Sequence, residues 1–229
     1  MDKKEFIVWA STHQSGYEPT EEIKKKIASI DLIAIVGPTG VGKTSIIEQL
    51  ELPFIMSDVS RDRRPDEKND VNYHFRSDYL GMFKDIKQGA YVQYLVTPSG
   101  EFYGTRGSAY PDSGKCTMAV VAEQIPHFRE MGFRSVQCIY IMPPSYVEWM
   151  RRIGGVRTKD LLSRISEARN SITLAINDGD YTFVLNDTLD LAVDDVKSLI
   201  RGEQIDGHRA QLAFDTADIL LKRIGEDTE

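Results

Sequence analysis

The chain has 229 residues, 41% of them hydrophobic, with 35 acidic against 28 basic side chains and a formal charge of −7. That apolar content builds a core and excludes global disorder, and the length suits one α/β domain or a core with appendages. The acidic balance argues against a general nucleic-acid binder, so an anionic ligand must be met by locally clustered positive charge.

In chain order, "EFIVWA" (5–10) reads as a short strand, and "PTEEIKKKIAS" (19–29) as a helix with Pro19 near its start. Residues 1–30 are therefore an N-terminal extension. "DLIAIV" (31–36) is an apolar strand fit for a buried parallel sheet, followed by a Gly-rich turn and a helix from about Lys43 to Leu50. "PFIMS" (53–57) reads as a strand, "NYHF" (72–75) as extended, and 77–89 as a helix with Ser77 as cap and Gly89 as stop. "AYVQYLV" and "GEFYGT" form two strands joined at "TPSG". "KCTMAVVA" and "RSVQCIYIM" are buried strands around a helix at about 123–131, and "PSYVEWMRR" begins another helix. A glycine-bearing break at 153–160 precedes a long helix to about Asn177, the strand "YTFVLN", and helices at about 188–201 and 208–224.

Strand and helix alternate through most of this list, which predicts a parallel sheet with helices on both faces. The polar stretch from about 57 to 112 reads as an insertion. Residues 31–202 then form the core, and 203–229 a C-terminal helical extension. Its stripe of Leu212, Ile219, Leu220 and Ile224 reads as a docking face. Cys116 and Cys138 sit in apolar runs and read as reduced core thiols. His13, His74, His127 and His208 lack metal-site spacing. No segment has the length of a membrane span and the polar N-terminus has no signal-peptide pattern, so a cytoplasmic location is expected.

Residues 37–44, "GPTGVGKT", fit G-x-x-x-x-G-K-[ST] at Gly37, Gly42, Lys43 and Thr44. The motif follows a buried strand and opens a helix, the context that gives it meaning. Glycines let backbone amides approach phosphate oxygens, and the helix N-terminus adds partial positive charge. Lys43 reaches the β- and γ-phosphates and the Thr44 hydroxyl ligates Mg²⁺. With Thr39, Gly40 and Ser45 these residues predict an ATP·Mg²⁺ site.

The charged loop "SDVSRDRRPDEKNDVNYHF" (57–75) is by itself a solvated connection. Its spacing of Ser57, Arg61, Arg64 and Tyr73, however, resembles the monophosphate-binding segment of guanylate kinases. The resemblance extends through "GPTGVGKTS", "EFYGT" (101–105), "IMPPS" (141–145), "RISEAR" (164–169) and "VLND" (184–187), in the family's order, over about 30–190. It implies a P-loop kinase moving the γ-phosphoryl group of ATP to a nucleoside monophosphate, with an inserted acceptor-binding region and a short lid near 152–164. Ser57, Arg61, Arg64, Tyr73 and Tyr103 would grip the acceptor's phosphate, as guanidinium forks and phenolic hydroxyls do well. Thr105 falls where a family hydroxyl meets a base oxygen. Arg152, Arg164 and, one place out of register, Arg157 would neutralise the transferring group.

Two positions depart from the family. The glutamate that reads guanine is here Gln93, and the strand-end Asp-x-Asp is Val120 and Ala122, with Glu123 and Asp58 as other candidate acids. Glutamine offers one acceptor and one donor, which suits an N–H/C=O base edge, whereas Ala122 leaves a 2-amino group without an acceptor. The expected acceptors are GMP or dGMP, with IMP, dTMP or a modified deoxynucleotide also open. Rival readings are a peptide-binding guanylate-kinase-like module, or a kinase acting on a sugar phosphate or a base in DNA. The intact P-loop beside an altered base pocket favours an enzyme on small-molecule nucleotides. A homodimer contact through the extensions stays open.

Overall fold

The computed structural model describes residues 1–63, 67–154 and 158–226, the side chains of 158–160 excepted. In chain order the elements are α1 (Lys3–His13), α2 (Glu21–Ile27), β1 (Ile30–Val36), α3 (Lys43–Ile47), β2 (Asp58–Val59), β3 (His74–Phe75), α4 (Tyr79–Lys87), β4 (Tyr91–Val96) and β5 (Phe102–Arg106). They continue with β6 (Gly114–Ala119), α5 (Ile125–Glu130), β7 (Ser135–Met142), α6 (Tyr146–Ile153), α7 (Thr158–Asp178), β8 (Tyr181–Leu185), α8 (Leu189–Ile200) and α9 (Gly207–Glu226). The chain divides into two compact units, one of residues 1–31, 53–116 and 131–134, the other of 32–52, 117–130 and 135–229.

The second unit carries a parallel sheet in the order β6-β1-β7-β8, flanked by helices. β7 and β8 pair in register from Cys138 opposite Tyr181 to Met142 opposite Leu185. Leu32 to Val36 and Ile139 to Met142 are almost wholly buried, as strands covered on both faces must be. Helix α9 buries Ala213, Ala217, Leu220 and Ile224, and Phe214 meets Phe183 of β8 edge-on at 5.4 Å. The expected stripe therefore splits: Leu220 and Ile224 are core, while Leu212 and Ile219 remain exposed.

The stretch from 57 to 112 builds a second sheet of its own, ordered β3-β2-β5-β4. Its core is Phe6 and Ala10 of α1, Met82 and Ile86 of α4, and Tyr91, Tyr94 and Phe102 of β4 and β5. Residues 5–10 are thus helix rather than strand. Asp2 accepts from the Glu5 amide at 2.9 Å while the Glu5 carboxylate accepts from the Asp2 amide at 2.8 Å, a capping box that starts the helix. Phe6 and Ala10 then fall four apart on its inner face. Residues 53–57 form no strand beyond a single-residue bridge at Phe54; the strand begins at Asp58, where β3 and β5 flank the chain. The cap of α4 is Asp78, not Ser77: its carboxylate accepts from the Gly81 amide at 3.0 Å. Helix α3 ends at Ile47, short of the expected Leu50.

Candidate functional site

In the second unit, Gly42 caps α3 at φ 94, a left-handed conformation that favours glycine. A Cβ there would lie 2.5 Å from the Asn186 amide nitrogen, which itself donates to the Val41 carbonyl at 2.7 Å. Gly37 packs so closely on β7 that a Cβ would lie 2.5 Å from the Ile141 carbonyl oxygen. Trp149 of α6, fully buried, donates its indole N–H to the Thr39 carbonyl at 2.9 Å. The turn at 37–44 is thus backed by three elements, which fixes its curvature without a ligand. Helix α3 spans only five residues, so the loop's own amides and Lys43 carry more of the anion affinity than the helix dipole expected from sequence.

Lys43 folds back on this loop and donates to the carbonyls of Gly37 at 2.6 Å and Pro38 at 2.9 Å. Burial pushes its ammonium down to about 8, against the charge of Glu167, which raises it. Glu167 and Arg164 lie three residues apart on α7. The Thr44 and Ser45 side chains are exposed and make no hydrogen bond among the described residues. Arg152 donates to Glu148 at 2.9 Å and to the Asn186 carbonyl at 3.3 Å, which ties it to the rear of the same loop. Arg64 and Arg157 lie outside the described residues.

The first unit gathers most of the expected acceptor residues. Asp58 and Val59 pair with Gly104 and Tyr103, which sets Arg61, just beyond β2, beside β5. Arg61 Nε donates to the Tyr103 hydroxyl at 3.0 Å, and its guanidinium lies over the rings of Tyr73 at 5.0 Å and Phe75 at 5.3 Å. Burial works against its charge, but Glu67 and Tyr103 outweigh it. Both terminal nitrogens donate to the carboxylate of Glu67, each at 2.6 Å. Ser57 lies just ahead of β2, half-buried, its carbonyl accepting from the His74 amide at 3.0 Å.

Gln93 is buried, and it stands opposite Thr105 in the antiparallel β4–β5 pair. Its Oε1 has no hydrogen-bond partner among the described residues. A buried acceptor without a donor costs about 1–3 kcal/mol, so it calls for an explanation. Thr105 is fully buried, its hydroxyl 2.9 Å from that of Tyr110. Four residues of this site escape a reading of sequence alone: Glu67, Tyr110, Trp149 and Glu167. Trp149 and Glu167 act on residues remote in sequence, whereas Glu67 and Tyr110 lie six and five residues from Arg61 and Thr105 without a pattern that marks them.

Asp58 is committed elsewhere. Its Oδ2 accepts from Arg76 at 2.9 Å, the Tyr91 hydroxyl at 2.6 Å and Arg106 at 2.8 Å, and both arginines also bond Asp85, at 2.8 and 2.6 Å. Burial raises its carboxyl above the usual range, with Tyr91 and Arg76 opposing. The cluster ties β2, α4, β4 and β5 together. Glu123 of the second unit opens onto a recess lined by Leu174, Asn177, Asp178 and Tyr181, at the C-terminal end of α7. Among the described residues no group of His, Cys, Asp or Glu forms a metal cluster, and no helix is long and apolar enough to cross a membrane.

A phosphate-binding turn at the end of a buried strand, a parallel sheet flanked by helices and a separate arginine–tyrosine cluster define a P-loop nucleoside monophosphate kinase. The guanylate kinase family model matches residues 29–203. Relatives include the guanylate kinase of Oceanobacillus iheyensis, 30% identical over 191 residues, which covers 78% of this chain and 90% of the relative. The guanylate kinase of Caulobacter vibrioides is 30% identical over 207 residues, covering 83% and 93%. In fold, the chain is similar to the crystal structure of guanylate kinase from Anaplasma phagocytophilum, with a TM-score of 0.57 and 21% identity over 79% of this chain and 89% of that one. The chain belongs to the guanylate kinase family.

Proposed function

We propose that the chain transfers the γ-phosphoryl group of ATP to a nucleoside monophosphate whose base carries an N–H/C=O edge, GMP or dGMP first and IMP or dTMP as further acceptors. The observation that carries this reading is the buried Oε1 of Gln93, without a hydrogen-bond partner among the described residues and in register opposite Thr105. A ring N–H satisfies the first and a ring carbonyl the second. The relatives are guanylate kinases by name, which supports a guanine acceptor. Ala122 stands where the family resemblance places an acceptor for the 2-amino group and has none to offer, so weak discrimination between guanine and hypoxanthine is expected.

The acceptor's phosphate is held by Arg61, Tyr73 and Tyr103, with Ser57 and Arg64 completing the grip. Lys43 and the amides of residues 37–44 hold the donor's phosphates, and Arg152, Arg164 and Arg157 balance the charge on the transferring group. Catalysis is positioning and charge neutralisation, with no covalent protein intermediate. Mg²⁺, when bound, screens the donor phosphates, and the exposed Thr44 hydroxyl fits it as a ligand. Asp58, tied up by two arginines, and Glu123, turned to its recess, do not fit that role. We propose 31–202 as the catalytic core and residues 1–30 and 203–229 as extensions.

A phosphoryl-transfer screen with ATP·Mg²⁺ against all ribo- and deoxynucleoside monophosphates tests the reading. Turnover confined to bases with an N–H/C=O edge is expected. Preference for AMP or CMP, or no turnover at all, overturns it.

A further inference from the structure

We infer that Tyr110 is a specificity-determining residue: it fixes the Thr105 hydroxyl as a hydrogen-bond donor toward the base, and so excludes amino-edge bases such as adenine and cytosine. This rests on the acceptor reading given above for Gln93 and Thr105.

Thr105 Oγ1 and the Tyr110 hydroxyl are 2.9 Å apart, and either atom can donate. Both side chains are buried, and neither hydroxyl has another hydrogen-bond partner among the described residues. Two hydroxyls sharing one hydrogen bond leave one hydrogen over. If Thr105 donates, the phenolic hydrogen is stranded where water does not reach. If Tyr110 donates, the spare hydrogen belongs to Thr105, the residue facing Gln93 across β4 and β5. The phenol is also the stronger acid of the two and the better donor. Thr105 then offers a hydrogen while Gln93 Oε1 offers a lone pair. Side by side they complement a ring carbonyl and its neighbouring N–H. Adenine presents the reverse pattern, a ring-nitrogen acceptor beside an amino donor. Glutamine meets that by turning its amide over, but a threonine held as donor then faces an N–H group. With Tyr110 donating into one lone pair, the Thr105 hydrogen cannot point back at the phenol, and turning it to the remaining side strands it in a fully buried site, which leaves the base as its one outlet.

The test compares kcat/KM for GMP and for AMP in the wild type, Tyr110→Phe, Thr105→Val and the double variant. Removing the phenol frees Thr105 to turn its hydrogen away from the base and present a lone pair to it, and the GMP-to-AMP ratio is expected to fall by about 10-fold or more, since a correctly placed hydrogen bond of this kind is worth a factor of that order. In the Thr105→Val background, Tyr110→Phe should leave the ratio unmoved, because the hydroxyl it orients is gone. A loss of packing alone lowers both rates together in either background, and thermal denaturation of each variant records it separately. An unchanged ratio in Tyr110→Phe, or an equal fall in both backgrounds, overturns the inference while leaving the acceptor reading intact. A wild type that turns over no nucleoside monophosphate overturns both.

Discussion

The carboxylate of Glu67 holds the guanidinium of Arg61 by two hydrogen bonds of 2.6 Å, in the fork geometry that a phosphate would occupy. If Arg61 grips the acceptor's phosphate as proposed, that phosphate must displace Glu67, and the fraction of molecules with the fork closed lowers apparent affinity in proportion. Glu67→Gln weakens the clasp, so KM for the acceptor should fall by about 3- to 10-fold. Steady-state kinetics over a range of GMP concentrations measures this. A higher KM would show that the carboxylate orients the arginine instead of competing for it.

In the proposed role Lys43 must be charged to hold phosphate, and burial pushes its ammonium down to about 8 in the free protein. The kcat/KM for ATP should therefore fall about tenfold per pH unit above about 8, and nucleotide binding in that range should take up a proton. Calorimetry in buffers of different ionisation enthalpy detects the uptake. Without nucleotide the sign for stability is opposite. The native state releases this proton at lower pH than the unfolded chain, so this group adds stability as pH rises from about 8 toward the ordinary lysine value. Glu167→Gln removes a charge that supports the ammonium, and the alkaline limb of the profile should move to lower pH.

Trp149 couples the helix bearing Arg152 to the carbonyl of Thr39. Trp149→Phe strands that carbonyl and leaves a gap in a fully buried site. A loss of about 1–3 kcal/mol is expected from the hydrogen bond alone, with a further loss from packing. Thermal unfolding with and without ATP checks both consequences: the melting point should drop, and the stabilisation added by ATP should shrink.

Asp58 lies between two arginines in a buried cluster. Asp58→Asn leaves Arg76 and Arg106 short of a counter-charge, and breaking such a buried pair costs about 3–5 kcal/mol. Urea denaturation should show the loss as a lower midpoint. The Mg²⁺ concentration for half-maximal rate should not move, since both arginines already engage the carboxylate.

The phosphate-binding turn was legible because its chemistry lies in eight consecutive residues whose backbone conformations only certain residue types adopt. The buried strands were legible as continuous apolar runs. Helix α1 was not, because Val8 and Trp9 favour strands while the capping box of Asp2 and Glu5 lies at the margin of the segment. The pairing of Gln93 with Thr105 required the register of two strands, and Tyr110 becomes relevant only once Thr105 is seen to face inward. Trp149 and Thr39 are 110 residues apart in sequence, a distance at which no local pattern speaks. Residue types that suit a role can be read along a chain, but the partner that restrains each one is a property of packing.

Helix α1 lies outside the stretch that matches the family, yet it supplies Phe6 and Ala10 to the core beneath β4 and β5. A shortened protein beginning near residue 29, where that match starts, would lay open the greasy flank formed by Met82, Ile86 and Phe102. Such a fragment should clump during purification and read nucleotide bases poorly, because Gln93 and Thr105 ride on the sheet that this first helix buttresses. The segment most easily trimmed as an appendage thus props up the sheet that carries Gln93 and Thr105.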